Sequence, residues 1–199
     1  VGSCRCIDPQ RHQACRIEVL MGAIGLQRRL QAQQPRRCVA FGFTPWKQRN
    51  LRRFLAGSQL RFRAPWRRIP HGVDAVVVWG RRAKPRLLEA AAHRQLPVLQ
   101  VEDGFLRSVG LGADLVDPVS WVVDHQGVYY DATRPSDLES LLATQRWTSA
   151  QCQRAAALRQ RLVQEAITKY NLQAEPWLRP AGARRVLSLI HISEPTRPL

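Results

Sequence analysis

Leu96 to Gly112 reads LPVLQVEDGFLRSVGLG, and this stretch decides the fold class. Leu96–Val101 is a short apolar run of the kind that forms a buried strand. It stops in Glu102, Asp103 and Gly104, followed by Phe105, Leu106, Arg107, Ser108 and two further glycines, Gly110 and Gly112. In open α/β sheets ligands bind outside the carboxyl ends of the strands. A carboxylate at such an end, next to a residue that permits close backbone approach, marks a candidate for chemistry. Immediately upstream, Pro85–Arg94 is rich in Leu and Ala and reads as a helix, and Asp74–Trp79 (DAVVVW) is a second apolar strand closed by Gly80. Strand, helix and strand at this spacing form the βαβ unit of a parallel sheet.

The same reading extends outward. Arg37–Phe43 is a strand, turned by Gly42 and Thr44-Pro45, and Pro45 suits a first helical position. Trp46–Ala56 follows as a helix with Trp46, Leu51, Phe54 and Leu55 inward and Lys47, Arg49, Arg52 and Arg53 mostly outward; Gly57 stops it. Gln59–Arg63 reads as a further strand and Arg16–Gln33 as an amphipathic helix broken by Pro35, while residues 1–15 show no periodicity and read as loop or linker. Downstream, Ser120–Asp124 and Val128–Tyr130 look like two short strands joined at His125-Gln126-Gly127. Ser136-x-x-Glu139 has capping-box form and opens a helix to Leu142 or Ala143; Thr148–Ile167 reads as a long helix. The expected fold is α/β with a Rossmann-like parallel sheet.

The chain has 199 residues, 31 Lys and Arg against 15 Asp and Glu, a net charge of +16 and a pI of about 11.3. No acid occurs between Val19 and Val73, where arginines cluster. Such a segment suits an anionic partner: nucleic acid, a phospholipid surface or a phosphorylated substrate. A GC-rich genome enriches Arg in the same way. The five cysteines have no CxxC spacing, and the His residues are scattered, so no metal site and no disulfide framework is expected. No apolar run reaches the ~18 residues of a membrane span. Ser188–Leu199, with LSLIHISEPTR around it, reads as a non-native, adaptor-derived tail, and the protein is expected to continue differently past Leu187.

Neighbours on a strand point to opposite faces, so only one of Glu102 and Asp103 can face a cleft. Spacing alone favours a structural use, one acid capping a helix or pairing with Arg107. Arg107 at a strand-end loop suits bidentate binding of a carboxylate or phosphate, or a salt bridge to Glu102. Gly110-x-Gly112 comes too late after the strand for a dinucleotide fingerprint and reads as loop flexibility. Tyr129-Tyr130 reads as packing, and Lys169 as a lysine at a helix C-terminus.

EDGFLRSVGLG (102–112) followed by DPVSWVVDHQGVYYDATRPSDLESLL (117–142) resembles the capsular polysaccharide biosynthesis proteins of the KpsC/LipA type, which are retaining β-Kdo glycosyltransferases. GFTPWK (42–47), VVWGRR (77–82 region) and ITKYNL (167–172) resemble segments of the same family, in order, over roughly residues 37 to 187. The resemblance implies transfer of Kdo from CMP-β-Kdo to a phosphatidylglycerol-linked Kdo acceptor, without a cofactor. It implies a location at the inner face of the cytoplasmic membrane, with capsule assembly proteins as partners and no nucleic acid. It also implies paired GT-B-type modules. Residues 1–36 would then be a linker or N-terminal helix and 37–175 an acceptor-side domain. Residues 176–187 would start a nucleotide-binding half whose His-Pro segment lies beyond the chain, so that this piece alone is expected to be inactive. Carried onto this sequence, the catalytic carboxylate falls at Asp103. Glu102, Arg107, Ser108, Lys169, Tyr170 and Asn171 become substrate-binding, and Lys47, Arg49, Arg52 and Arg53 face the membrane or an anion. The alternative from another class is a basic nucleic-acid-binding or anionic-lipid-binding protein without catalysis. It lacks any recognised nucleic-acid motif.

Overall fold

In the computed structural model, which describes residues 5–8 and 13–172, the acid-bearing run is one strand of a five-stranded sheet. A hairpin comes first, β1 (Arg5–Asp8) and β2 (Gln13–Arg16), then helix α1 (Ile17–Gln33). The sheet domain follows as β3 (Arg37–Phe41), α2 (Pro45–Phe54), β4 (Gln59–Arg63), β5 (Ala75–Trp79), α3 (Pro85–His93), β6 (Val98–Asp103) and β7 (Trp121–Asp124). Helices α4 (Asp137–Thr144) and α5 (Ser149–Gln164) complete the described residues. Strand order is β4-β3-β5-β6-β7; the first four are parallel and β7 runs antiparallel to β6.

The apolar strands explain the layering. Every residue of β5 is buried, as a central parallel strand covered on both faces requires. Alternation splits β3 and β5 between two cores. Cys38, Ala40, Ala75 and Val77 pack with Leu51 of α2 and with Leu55 just past its end. Val39, Phe41, Val76 and Val78 pack with Leu87 and Ala91 of α3. The helices therefore lie on opposite faces of a doubly wound, Rossmann-like α/β sheet, as the sequence pattern implies. The crossover through α2 carries the chain from β3 outward to β4, and that through α3 from β5 outward to β6. The two diverge between β3 and β5, where such sheets open a crevice.

Three expectations need correction. Residues 5–8 and 13–16 are a hairpin rather than loop, with Cys6 opposite Cys15 and Ile7 opposite Ala14. Pairing of this kind rests on main-chain bonds, so periodicity does not announce it. Val128–Tyr130 is not a strand, and β7 pairs with β6 instead. The buried Asp124 carboxylate turns the chain away by accepting from the N–H groups of Gln126 (2.9 Å) and Gly127 (2.8 Å). Its other oxygen accepts from Asp137 N–H at 2.9 Å, docking the start of α4. Helix α5 ends at Gln164 rather than Ile167: Ala166 takes φ 51° and Ile167 N–H bonds back to the Leu162 carbonyl at 2.9 Å. The capping boxes at Ser136 and Thr148 are formed. Residues 176–187 and the tail 188–199 lie outside the described residues.

Candidate active site

β6 runs two residues further than its apolar core, so Glu102 and Asp103 sit on the strand and pair with Val122 and Trp121 of β7. Their side chains have different fates. Both Glu102 oxygens are used: Oε1 accepts from Asp103 N–H at 3.0 Å and Oε2 from the Tyr130 hydroxyl at 2.8 Å. Burial, with this bond to Glu102 second, pushes the Tyr130 phenol up to about 12. Asp103 instead lines an open cleft of about 380 Å³ with Trp46, Lys47, Trp79, Arg107 and Tyr170. Its side chain is 22% exposed. Arg107 Nε stands 3.0 Å from Oδ1, an ion pair without full hydrogen-bond alignment, and Oδ2 has no partner among the described residues.

Arg107 pairs with Asp103, not Glu102, and it is the largest of the fully buried side chains, 2% exposed. Its Nη1 donates to Ser108 Oγ (2.6 Å) and to the Val116 carbonyl (3.2 Å). Gly112 is required by this guanidinium rather than by flexibility, because a Cβ there would stand 2.7 Å from Nη2. Gly104 likewise admits Ser120: a Cβ would overlap Ser120 Oγ, which donates to the Leu106 carbonyl at 2.5 Å. Ser108 is 1% exposed, and its hydroxyl donates to the Gly110 carbonyl at 2.7 Å. The geometry therefore withdraws Ser108 from ligand contact and puts Arg107 behind Asp103 as a positioning residue.

The 168–171 segment acts on this loop through main chain. The Lys169 carbonyl accepts from Arg107 N–H (2.8 Å) and Ser108 N–H (3.3 Å), and the Tyr170 carbonyl from Gly110 N–H (2.7 Å). Asn171 Nδ2 donates to the Ser108 carbonyl at 3.1 Å, so Asn171 is a fastener rather than a ligand group. Of the three, Tyr170 reaches the cleft wall. Lys169 Nζ lies 5.6 Å from the Tyr170 ring centre, beyond the helix end where sequence placed it.

Lys47 is turned in, against the outward expectation. It stands four residues before Leu51 and seven before Phe54, hence on the inner face of α2. Thr44 caps the helix by accepting from Lys47 N–H, and Lys47 Nζ lies 3.3 Å from the centre of the Trp79 ring. Phe43 and Trp121 brace Trp79 edge-on, with ring centres 6.1 and 5.0 Å away. Burial first, then the Arg82 charge, lowers Lys47 to about 8 from the ordinary 10.5. Between these values the unfolded chain keeps a proton that the folded protein has released, so this group makes stability rise with pH across that window. Lys47→Met is expected to melt higher relative to the parent at about pH 7 and to lose that advantage towards pH 10, as a pair of Tm profiles would read.

The other arginines of α2 are less free than the sequence suggests. Arg49 and Arg53 reach Asp117 at 2.7 and 3.2 Å, with Asn50 Nδ2 at 3.2 Å, and Arg52 lies 4.6 Å over the Phe62 ring. The Arg49 bond, then that of Asn50, holds the Asp117 carboxyl below the usual range. Arg49 and Arg53 side chains remain 64% and 63% exposed. Sequence reasoning passed over Trp79 and the Tyr130–Glu102 bond; the one available signal was a tryptophan ending a fully apolar strand, just before Gly80. Among the described residues no helix is long and apolar enough to cross a membrane, and no three His, Cys, Asp or Glu side chains gather at metal-binding distance.

The chain is thus a doubly wound α/β sheet with a lone carboxylate in a cationic, aromatic cleft at its carboxyl edge. Residues 74–180 match the family model described as capsule polysaccharide biosynthesis protein, and the chain belongs to that family. It is 36% identical over 112 residues to the capsule polysaccharide modification protein LipA of Neisseria meningitidis, covering 56% of this chain and 16% of that protein. It is 34% identical over 160 residues to the lipopolysaccharide-processing protein LpsZ of Rhizobium meliloti, covering 74% of this chain and 36% of that one. Among solved structures it is similar to the β-Kdo 2,4 transferase of Thermosulfurimonas dismutans KpsC: TM-score 0.59, 34% identity, 73% of this chain and 44% of the other. The chain thus spans less than half the length of these relatives.

Proposed function

We propose that this chain is the acceptor-side half of a GT-B-type, retaining β-Kdo glycosyltransferase module that uses CMP-β-Kdo and acts in capsule linker synthesis. The acceptor is a phosphatidylglycerol-linked Kdo at the inner face of the cytoplasmic membrane, and capsule assembly proteins are the partners. The observation that carries this reading is the unpartnered Oδ2 of Asp103 in an open cleft, with Oδ1 held by a buried guanidinium. The family membership and the Kdo transferase likeness support it.

In this reading the Asp103 carboxylate attacks the anomeric carbon of Kdo, and the bond to the phosphate oxygen breaks with its electron pair leaving on CMP. An acceptor hydroxyl then attacks the same carbon, loses its proton to base, and returns Asp103 to the free carboxylate. Lys47, above Trp79, supplies positive charge beside the developing anion. Glu102, tied to Tyr130, fixes the strand end. The test is to incubate the uninterrupted, full-length protein with CMP-β-Kdo and no acceptor and to map modified peptides by mass spectrometry. A Kdo adduct on the peptide containing Asp103 is expected; an unmodified peptide under turnover conditions would sink the double displacement.

A further inference from the structure

We propose that the groove between the β4–β5 loop and α3 seats a phosphate group of the acceptor, away from Asp103 but on the same open track. The proposal rests on the transferase reading above and adds a subsite to it. The groove has a volume of about 610 Å³. Arg67, Arg68, Lys84, Arg86 and Arg94 line it with five fixed positive charges, His71 stands beside them, and no acid lines it. None of the five has an ion-pair partner among the described residues, whereas Arg37, Arg49, Arg53, Arg81 and Arg107 each meet a carboxylate. Other arginines are also unpaired among the described residues, but these five line one hollow together.

The groove is shaped in advance. Arg94 donates from Nη1 to the Ile69 carbonyl (2.9 Å) and from Nη2 to the Pro70 carbonyl (3.1 Å). Arg67 N–H closes a turn onto the Ala64 carbonyl at 3.0 Å, and Ile69 is buried in the α3-side core. With the loop held so, the heads of Arg67, Arg68, Lys84 and Arg86 remain exposed. Guanidinium groups match phosphate oxygens bidentately, and several converging on one hollow select a phosphate ester over a neutral sugar.

The groove also neighbours a hollow that borders the cleft. A smaller hollow of about 120 Å³ shares Pro65, Lys84 and Leu87 with the groove. It shares Trp79 with the Asp103 cleft. It lies over Phe41-Gly42 and Val78-Trp79, the carboxyl ends of β3 and β5, where the two crossovers diverge. An acceptor with its hydroxyl at Asp103 and its phosphate among Arg67, Arg68 and Arg86 would run along this edge, past Arg82.

Cosedimentation of the chain with vesicles of phosphatidylglycerol in phosphatidylcholine, at about 0.1 M salt, tests the seat. The Arg67→Gln/Arg68→Gln/Arg86→Gln variant is expected to bind about 100-fold more weakly than the parent. A variant with the same loss of charge placed elsewhere, Arg28→Gln/Arg154→Gln/Arg159→Gln, should bind at least ten times more tightly than the groove variant. Equal weakening of the two would mean that only net charge matters, and would overturn the seat; so would unchanged binding by the groove variant. Circular dichroism on each variant confirms that it is folded. Competition by inorganic phosphate identifies a site for a single phosphate group, while binding that resists phosphate yet is lost in the groove variant assigns the headgroup in its bilayer. Asp103→Asn should bind vesicles as the parent does. Loss of transfer in Asp103→Asn with full vesicle binding by the groove variant would overturn the groove alone; weakened binding by the groove variant with transfer intact in Asp103→Asn would overturn the catalytic reading alone.

Discussion

Asp103→Asn in the full-length protein is expected to lower Kdo transfer by at least about 10³-fold, with only a modest loss of thermal stability. Loss of a covalent nucleophile removes a step that no remaining group replaces, and effects of that order or larger follow in other enzymes. The modest stability effect follows from the geometry: the isosteric amide keeps an oxygen facing Arg107 Nε, and Oδ2 has no partner among the described residues to lose. The cost falls on Arg107, which keeps Ser108 Oγ and the Val116 carbonyl as acceptors. Transfer assays and melting curves on the same preparation separate the two. Transfer at the parent rate would remove Asp103 from the chemistry; a collapse in Tm would make it a structural acid.

Arg107→Met should do the reverse and act first on the fold. The replacement leaves the Asp103 carboxylate without its partner and strips donors from Ser108 and Val116 in a place with almost no water. Leaving a buried acceptor without its donor costs about 1–3 kcal/mol, and Arg107 serves two, while Asp103, 22% exposed, can recover water. Whole domains are stable by only about 5–15 kcal/mol, so a large part of the urea midpoint should be lost. Arg107→Lys keeps a charge but not the fork that spans Asp103, Ser108 and Val116, and should recover less than half of the loss. Equilibrium unfolding followed by tryptophan fluorescence measures both. A shift below about 1 kcal/mol in Arg107→Met would mean that the buried guanidinium is not holding the loop.

The parts of this molecule that announce themselves in sequence are those where one physical demand repeats along the chain. β5 reads as a strand because a central parallel strand must be apolar at every position, and α2 because Leu51, Phe54 and Leu55 share a face. The capping box at Ser136 depends on two residues three apart, and so was legible, whereas the one at Thr148 went unread. What escaped depends on single atoms across long separations. The turn at Asp124 needs that carboxylate to prefer Gln126 and Gly127 over a hairpin, and the end of α5 uses Ala166 where a glycine would have been a signal. At the site, the rule that adjacent strand residues diverge singled out one acid, but not which. That choice is made by Tyr130, 28 positions beyond Glu102. Lys47 was placed outward because it is charged, although its spacing from Leu51 already put it on the inner face.

The grip on the 107–110 loop comes from the carbonyl oxygens of Lys169 and Tyr170, which every amino acid possesses. Those two positions can accordingly change side chain without loosening that loop. Asn171 has no such latitude: it combines φ 49° with a side-chain bond to Ser108, and few residues satisfy both. Mutational libraries over 169–171 should therefore return variety at the first two places and near uniformity at the third.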